Sequence, residues 1–208
     1  MTLKRFTAIL VFTLAMAATA TSAWFYFDFQ AYRTTPARPA VKNQIFTVRP
    51  GDHLKTIARS LEAAGLVTSG RYFMILARIE KASTRIQAGE YLMSPALTPD
   101  QILSTLLKGR VKLYRLTLPE GLNITETADR VEIAGFCPDN QFEALCRDPD
   151  FIASLGLSAP SLEGYLFPDT YFFPRNTSCP SVIKTMIKRF NQVFSPEWQD
   201  RATALGLT

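Results

Sequence analysis

The residue types best suited to chemistry in this 208-residue chain lie in residues 162–174, which read LEGYLFPDTYFFP. The segment combines two carboxylates with five rings: Glu163 and Asp169, and Tyr165, Phe167, Tyr171, Phe172 and Phe173. Aromatic faces pack against the C–H surfaces of sugars, and a carboxyl held against rings can stay protonated near neutral pH. Such a carboxyl can act as a general acid. The segment therefore predicts cleavage of a glycosidic bond, with Glu163 as the candidate acid.

Local patterning predicts that this segment starts as a strand over residues 162–167. Side chains alternate up to Phe167, and the Pro-Asp pair that follows ends the strand in a turn. A strand would place Glu163, Tyr165 and Phe167 on one face, because successive side chains point to opposite sides. On the residues alone a structural interpretation has equal weight, with the phenylalanines in the core and Glu163 capping a turn through backbone N–H groups.

Composition and charge limit the class of protein. The chain is 47% hydrophobic with a mean hydropathy of +0.04, which excludes intrinsic disorder, collagen and a membrane protein with many spans. Two of the 23 basic residues, Lys4 and Arg5, precede the long apolar stretch, which leaves 21 basic against 18 acidic residues. That surplus is too small to predict a nucleic acid partner.

Histidine and cysteine are too scarce for several kinds of site. His53 is the only histidine, so a zinc site of several imidazoles is excluded, and we predict neither a metal nor another cofactor. His53 is expected at an exposed helix start rather than as a base. Cys137, Cys146 and Cys179 lack CxxC spacing, and the sequence leaves three pairings, or three free thiols, open.

Residues 6–27 carry no formal charge and are long enough, at ~1.5 Å per residue, to cross a hydrocarbon core of ~30 Å. A cleaved secretory signal is the alternative, since a short apolar run is followed by small residues. The aromatic run over 24–27 favours an uncleaved anchor, because it resembles an interfacial belt. Lys4 and Arg5 predict a cytoplasmic N-terminus, and a polar linker over 28–44 is predicted to hold the exported part off the membrane.

Two stretches of the chain resemble each other. A shift of 70 residues aligns FTVRPGDHLKTIARSLEAAGL (46–66) with LTLPEGLNITETADRVEIAGF (116–136) without a gap. The identical pairs are Thr47/Thr117, Gly51/Gly121, Ala58/Ala128, Glu62/Glu132, Ala64/Ala134 and Gly65/Gly135. Two copies are too few for a solenoid, so the pattern predicts a duplicated module.

Each copy predicts the order β-α-α-β, with a glycine turn after the first strand and a glycine stop after the first helix. Beyond those first helices, the predicted helices are 69–80, 99–108, 140–146, 181–194 and 196–205, and the predicted later strands are 86–93, 111–118 and 162–167. FTVRPGDHLKTIARSL in copy one resembles the peptidoglycan-binding LysM module, although a plain α/β packing unit is the alternative. In copy two, Glu120 takes the place of Pro50, either as a second site carboxylate or as a first-turn helix charge.

Taken together, these segments resemble the YceG-like family of endolytic murein transglycosylases. The resemblance is carried by the apolar N-terminus, the LysM-like unit, AGEYLM (88–93), LPEG (118–121) and above all LEGYLFPDTY (162–171). It implies an α+β chain with an N-terminal transmembrane helix, duplicated β-α-α-β units and the start of a catalytic domain. The expected parts are a cytoplasmic tail (1–5), an anchor (6–27), a linker (28–44), a LysM-like domain (45–96) and an incomplete transglycosylase domain (97–208).

The resemblance implies cleavage of nascent peptidoglycan between N-acetylmuramic acid and N-acetylglucosamine, leaving a 1,6-anhydro end and terminating strand elongation. One acid/base carboxyl suffices, because the sugar's own C6 hydroxyl replaces water. The implied setting is the inner membrane, with a periplasmic folded part, glycan strands as substrate and peptidoglycan polymerases as possible partners. The implied substrate-binding residues are Glu120, Gly121, Gly164, Tyr165, Phe167, Pro168, Asp169 and Tyr171.

One departure from the family concerns the catalytic residue itself. The family's main catalytic glutamate is expected beyond Thr208, in an acidic helical motif that no residue here matches. Residues 206–208 also predict a helix stop followed by the N-cap of a further helix. We therefore expect a truncated member with little activity, in which Glu163 is the best local candidate. The alternative is an anchored, non-catalytic peptidoglycan-binding or divisome-associated protein.

Overall fold

The apolar N-terminal stretch forms one long helix, α1 (Leu3–Thr34). The computed structural model describes residues 3–38 and 42–206. Within α1, the segment Leu10–Thr34 is long and apolar enough to cross a membrane, and its mean hydropathy is 1.4. The structure therefore contains the apolar helix that the sequence predicts, while residues 1–2 of the expected cytoplasmic tail lie outside the described residues.

α1 continues beyond the expected anchor, so the linker predicted over residues 28–44 is wrong at its start. Residues 28–34 are helical, and Phe29 and Tyr32 are only 6% and 7% exposed. Both rings lie beside the ring of Tyr72, at centroid distances of 5.9 and 5.3 Å. Residues three apart share a helix face, and burial of these rings stabilises the helix despite its polar neighbours.

The chain divides into two units, Met1–Val111 and Lys112–Thr208. After α1, unit 1 contains β1 (Gln44–Val48), α2 (Leu54–Ala63), α3 (Gly70–Ile79), β2 (Gly89–Met93) and α4 (Pro99–Leu107). β1 and β2 pair antiparallel, with Phe46 opposite Tyr91. The order from β1 to β2 is the predicted β-α-α-β. α4 contributes Ile102 and Leu106 to the same core, so unit 2 begins at Lys112 rather than at residue 97.

Apolar periodicity and capping explain the helices of unit 1. α2 buries Ile57, Ala58 and Leu61, and Gly65 supplies the positive φ of +66° at which the chain leaves that helix. α4 begins with a capping box, in which Thr98 and Gln101 bond each other's backbone N–H groups. These local signals are visible in the sequence, and the helix bounds agree with prediction within one residue for α3 and α4.

Unit 2 also contains a two-stranded antiparallel sheet. Its elements are β3 (Leu113–Thr117), α5 (Ile124–Ile133), α6 (Asp139–Arg147), α7 (Pro149–Ser154), β4 (Thr170–Pro174), α8 (Cys179–Val193) and α9 (Pro196–Ala204). β3 pairs with β4, and Leu116 lies opposite Tyr171. α7 is an additional helix that the β-α-α-β prediction did not include, so the two units differ in element order.

The closing strand of unit 2 is β4, and the prediction of a strand over 162–167 is wrong. Gly164 has a φ of +82°, and the N–H of Tyr165 donates to the carbonyl of Leu162 at 3.1 Å, so the chain turns there. The alternation that does form a strand comes later: Tyr171 and Phe173 are buried, whereas Phe172 is 58% exposed. The predicted strand face of Glu163, Tyr165 and Phe167 therefore does not exist.

Of the pairings that the sequence left open, the structure contains the disulfide Cys137–Cys179. Cys146 is a free thiol, fully buried in the core of unit 2. Burial raises the pKa of this thiol to about 12, so it behaves as a small apolar residue. The disulfide joins the segment before α6 to the first residue of α8.

Candidate functional site

Two loops of unit 2 meet at one end of the β3–β4 sheet. We call residues 118–123 the LPEG loop and residues 162–169 the LEGYLFPD loop. The N–H of Leu118 donates to the carbonyl of Asp169 at 3.0 Å, and the hydroxyls of Thr117 and Thr170 lie 3.2 Å apart. The antiparallel ladder thus brings together the two segments that the sequence singled out separately, although they are more than 40 residues apart.

Glu163 is an exposed residue whose carboxylate binds the start of α5. Its Oε2 accepts a hydrogen bond from the backbone N–H of Ile124 at 3.1 Å. The first N–H groups of a helix have no partner within the helix, and a carboxylate placed there also interacts favourably with the helix dipole. This contact is the structural alternative considered from the sequence, and it differs from a carboxyl enclosed by rings.

A capping box completes the N-terminus of α5. Asn123 accepts from the N–H of Glu126 through its side chain at 2.9 Å, and the Glu126 carboxylate accepts from the N–H of Asn123 at the same distance. The hydroxyl of Thr127 donates to the carbonyl of Asn123 at 2.8 Å. Together with Glu163, these side chains fix the LPEG loop against the LEGYLFPD loop.

Asp169, the second carboxylate of the motif, is held in its ionised form. It accepts from the N–H of Thr170 and from Nε of Arg189, each at 2.7 Å. These hydrogen bonds hold the pKa of Asp169 below its ordinary value, and the bond from Thr170 has the larger effect. A carboxyl with a lowered pKa is a poor proton donor near neutral pH, so Asp169 is suited to positioning Arg189 or to accepting hydrogen bonds.

The five rings of the motif do not form one surface. The ring of Tyr165 contacts that of Phe190 at 5.2 Å, and the Arg189 guanidinium lies 5.7 Å from the centre of the Phe167 ring. Tyr171 faces the core and donates its hydroxyl hydrogen to the carbonyl of Phe167 at 2.6 Å. Burial raises the pKa of Tyr171 to about 12, so this donor stays protonated at neutral pH.

The remaining predicted residues shape the two loops. Gly121 and Gly164 have φ values of +83° and +82°, which a residue with a side chain rarely adopts. Pro168 precedes Asp169, where the loop enters β4. Glu120 is exposed on its turn, and within the described parts of the chain its side chain has no hydrogen bond or ion pair. Its carboxylate is therefore available to bind a ligand.

Sequence reasoning missed two parts of this region, namely Arg189 and an open groove between β3 and α5. The groove has a volume of about 510 Å³. Its polar lining residues are Arg115, Thr117, Glu126, Asp129 and Arg130. Alternate positions on β3 and the spacing i, i+3, i+4 on α5 are the sequence signals that would have identified it. Among residues 3–38 and 42–206, no group of three metal-ligating side chains is close enough to hold an ion.

The sequence matches the model of the YceG-like family over residues 46–208. It is 29% identical over 172 residues to an endolytic murein transglycosylase of Streptococcus pneumoniae serotype 2, a match that covers 70% of this chain and 31% of the relative. The protein of the same name in Bacillus subtilis strain 168 is 29% identical over 157 residues, covering 68% of this chain and 43% of the relative. The chain thus spans less than half the length of these relatives.

The similarity of this chain to a solved structure is lower than its similarity to these relatives. The crystal structure of a yceG-like protein from Listeria monocytogenes has 23% sequence identity and a TM-score of 0.41. The overlap covers 80% of this chain and 60% of that protein. The fold described above therefore rests on the elements of this chain alone.

Proposed function

The chain belongs to the YceG-like family, and on that premise we propose that it acts in endolytic lytic transglycosylation of peptidoglycan. The bond cleaved would join N-acetylmuramic acid to N-acetylglucosamine in nascent strands, and cleavage would end strand elongation. Relatives named endolytic murein transglycosylase support this reaction. The observation that carries the proposal is the pairing of the LPEG and LEGYLFPD loops through Leu118 and Asp169.

The reaction needs a single acid/base carboxyl. The acid gives its proton to the glycosidic oxygen, which leaves as the 4-hydroxyl of N-acetylglucosamine while its bond to C1 of N-acetylmuramic acid breaks. The C6 hydroxyl of the same N-acetylmuramic acid attacks C1 and returns its proton to the carboxylate. No water is consumed, so the product carries a 1,6-anhydro ring.

Within this reaction we propose that the two loops bind the glycan rather than supply the acid. The proposed binding residues are Glu120, Gly121, Gly164, Tyr165, Phe167, Pro168 and Asp169. Tyr171, which the sequence analysis included, faces the core and supports the loop through its hydrogen bond to the Phe167 carbonyl. The hydrogen bond from Ile124 supports a positioning role for Glu163, and the ion pair with Arg189 makes Asp169 unsuitable as an acid. Both observations support the prediction that this 208-residue chain cleaves little glycan by itself.

We further propose that α1 is a single-span anchor in the inner membrane, with the N-terminus in the cytoplasm and both units in the periplasm. Its length and hydropathy support this location. A LysM-like unit 1 would hold glycan strands beside the peptidoglycan polymerases that extend them. A murein enzyme at that membrane would meet strands as they are made.

Loss of the gene tests the function in the cell. If the protein terminates elongation, its absence should lengthen glycan strands and reduce the number of anhydro ends, measured by chromatography and mass spectrometry of digested cell wall. Unchanged strand lengths and ends would contradict the proposal and favour the non-catalytic binding alternative.

The purified 208-residue chain tests the role of its own residues. We expect it to bind uncrosslinked glycan strands and to release few products that are lighter than a reducing end by one water. Clear release of such products, abolished by Glu163→Gln and retained in Glu197→Gln, a change on the exposed side of α9, would overturn the positioning role and make Glu163 the acid.

A further inference from the structure

The C-terminal part of α1 is bonded to α3 of unit 1, so the position of α1 in a membrane would also set the position of α3. Three polar contacts tie both ends of α3 to residues 28–33 of α1: Tyr72 hydroxyl to Asp28 at 2.5 Å, Tyr32 hydroxyl to the Ser69 carbonyl at 2.9 Å, and Arg33 to Glu80 at 3.1 Å. Arg33 also pairs with Asp100 of α4 at 3.1 Å. α3 therefore lies beside residues 28–33.

The depth of those residues follows from helix geometry, given the proposed anchor. The uncharged stretch 6–27 spans about 33 Å as a helix, slightly more than the hydrocarbon core. Residue 28 thus lies at the edge of the core, and Arg33 lies about 7.5 Å farther out along α1. The headgroup layer on each side is about 5–8 Å thick. α3 therefore lies at the depth of the lipid headgroups.

One face of α3 runs from its contact with α1 to an exposed apolar side chain. The ring of Tyr72 contacts that of Phe25, which belongs to the uncharged stretch, at a centroid distance of 5.8 Å. Ile75 and Ile79 follow Tyr72 by three and seven residues, so they share its face. Ile79 is 57% exposed and Ile75 is half-buried. Ile75 is partly packed against the core of unit 1, whereas more than half of Ile79 is left uncovered by the described residues. This face, beside the helix proposed to enter the membrane, is therefore open to a lipid surface.

Basic residues border this face. Arg71 and Arg78 are both exposed, and they lie four residues before and three residues after Ile75 on the helix. Apolar side chains flanked by arginines are typical of helices that lie in the membrane interface, where the charges meet phosphates and the apolar groups enter the acyl boundary.

We propose that the α3 face formed by Arg71, Ile75, Arg78 and Ile79 lies on acidic phospholipid headgroups of the membrane that α1 crosses. The proposal rests on the proposed anchor. Each arginine near an anionic surface contributes about 1 kcal/mol, which is about a fivefold change in the docking equilibrium. Unit 1 is thereby held on the membrane in one orientation instead of moving on a flexible tether.

Tryptophan quenching in vesicles tests the contact in the full 208-residue chain. The background carries Trp24→Phe and Trp198→Phe, which removes both native tryptophans. Ile79→Trp then reports on the α3 face, and Leu92→Trp is the matched control, because Leu92 is 52% exposed on the outer face of the β1–β2 sheet, across the core from α3. The vesicles contain phosphatidylglycerol and lipids with brominated acyl chains.

We expect bromolipids to quench fluorescence strongly in the Ile79→Trp chain and weakly in the Leu92→Trp chain. Arg71→Gln with Arg78→Gln should weaken docking about 25-fold. Equal quenching of the two reporter chains, when both float with the vesicles, would overturn the contact and leave the anchor standing. Failure to float would overturn the anchor and the contact together. Quenching that persists in the double arginine variant would overturn the role of acidic lipid.

Discussion

At the residue scale, substitutions of Glu163 can separate its structural role from a chemical one. Its carboxylate binds the N–H of Ile124, so Glu163→Ala should lower the free energy of unfolding by about 1 kcal/mol, as loss of a helix cap does. Glu163→Gln keeps an acceptor oxygen and should cost less. Urea denaturation of detergent-solubilised protein measures both changes.

Glu120→Ala is the control for that series, because Glu120 is exposed and the described residues give it no partner. It should change the free energy of unfolding by less than about 0.5 kcal/mol. If Glu163→Ala were as neutral as Glu120→Ala, the hydrogen bond to α5 would not stabilise the fold, and the case for a positioning role would be lost.

Asp169 predicts a dependence of stability on pH. Its pKa is lower in the folded chain than its unfolded value of about 3.9, so its ionised form stabilises the fold above that value, and the contribution is lost as the pH falls through the folded pKa. Asp169→Asn should therefore be less stable than wild type at neutral pH, and the difference should disappear in acid. Urea midpoints over a pH series test this.

The exposed Asp129 provides the comparison for this pH series. Asp129→Asn should change the urea midpoint little at neutral pH, whereas Arg189→Gln should reproduce part of the Asp169→Asn effect because it removes one of the two donors. A constant gap between Asp169→Asn and wild type down to the lowest pH would show that ionisation is not the cause.

At the element scale, the disulfide ties α8 to the segment before α6. It closes a loop with a sequence separation of 42, for which the chain-entropy estimate is about 4 kcal/mol of stabilisation. Cys179→Ser should lower the free energy of unfolding of unit 2 by up to this amount. Hydrogen exchange of α6 and α8 should rise, while that of unit 1 stays unchanged.

Thiol labelling tests the disulfide independently, by counting the free cysteines. In the native, oxidised chain no thiol should react quickly with iodoacetamide, because Cys146 is buried and the pKa of its thiol is raised. After unfolding without reductant, mass spectrometry should find one alkylated cysteine. Two or three would contradict the Cys137–Cys179 pairing.

Helices were easier to predict than strands, for a physical reason. The apolar spacing of α3, α4 and α8 is local, so the sequence alone predicts these helices. The residues of both 162–167 and 170–174 alternate, and only the ladder between β3 and β4, which are far apart in sequence, selects the second. Arg189 was missed because its contact with Asp169 joins residues 20 apart on different elements.

At the scale of the whole molecule, the least predictable feature was the connection between the apolar helix and unit 1. Polar and proline residues after position 27 are typical of a linker. Phe29 and Tyr32 are too few to reveal a buried face in sequence, because their partner, Tyr72, is 40 residues or more away. Burial of these rings makes α1 part of the core of unit 1.

This arrangement predicts that the stability of unit 1 depends on α1. Phe29→Ala removes a ring that is 6% exposed and should lower the free energy of unfolding of unit 1 by about 3 kcal/mol, whereas a linker residue would cost almost nothing. Phe27→Ala is the control, since Phe27 lies on the same helix and is 69% exposed. Hydrogen exchange in detergent micelles should show loss of protection in α3 and α4 for the first variant alone. If Phe29→Ala and Phe27→Ala had equal effects, residues 28–34 would act as a flexible linker, and the basis for placing α3 on the membrane would be lost.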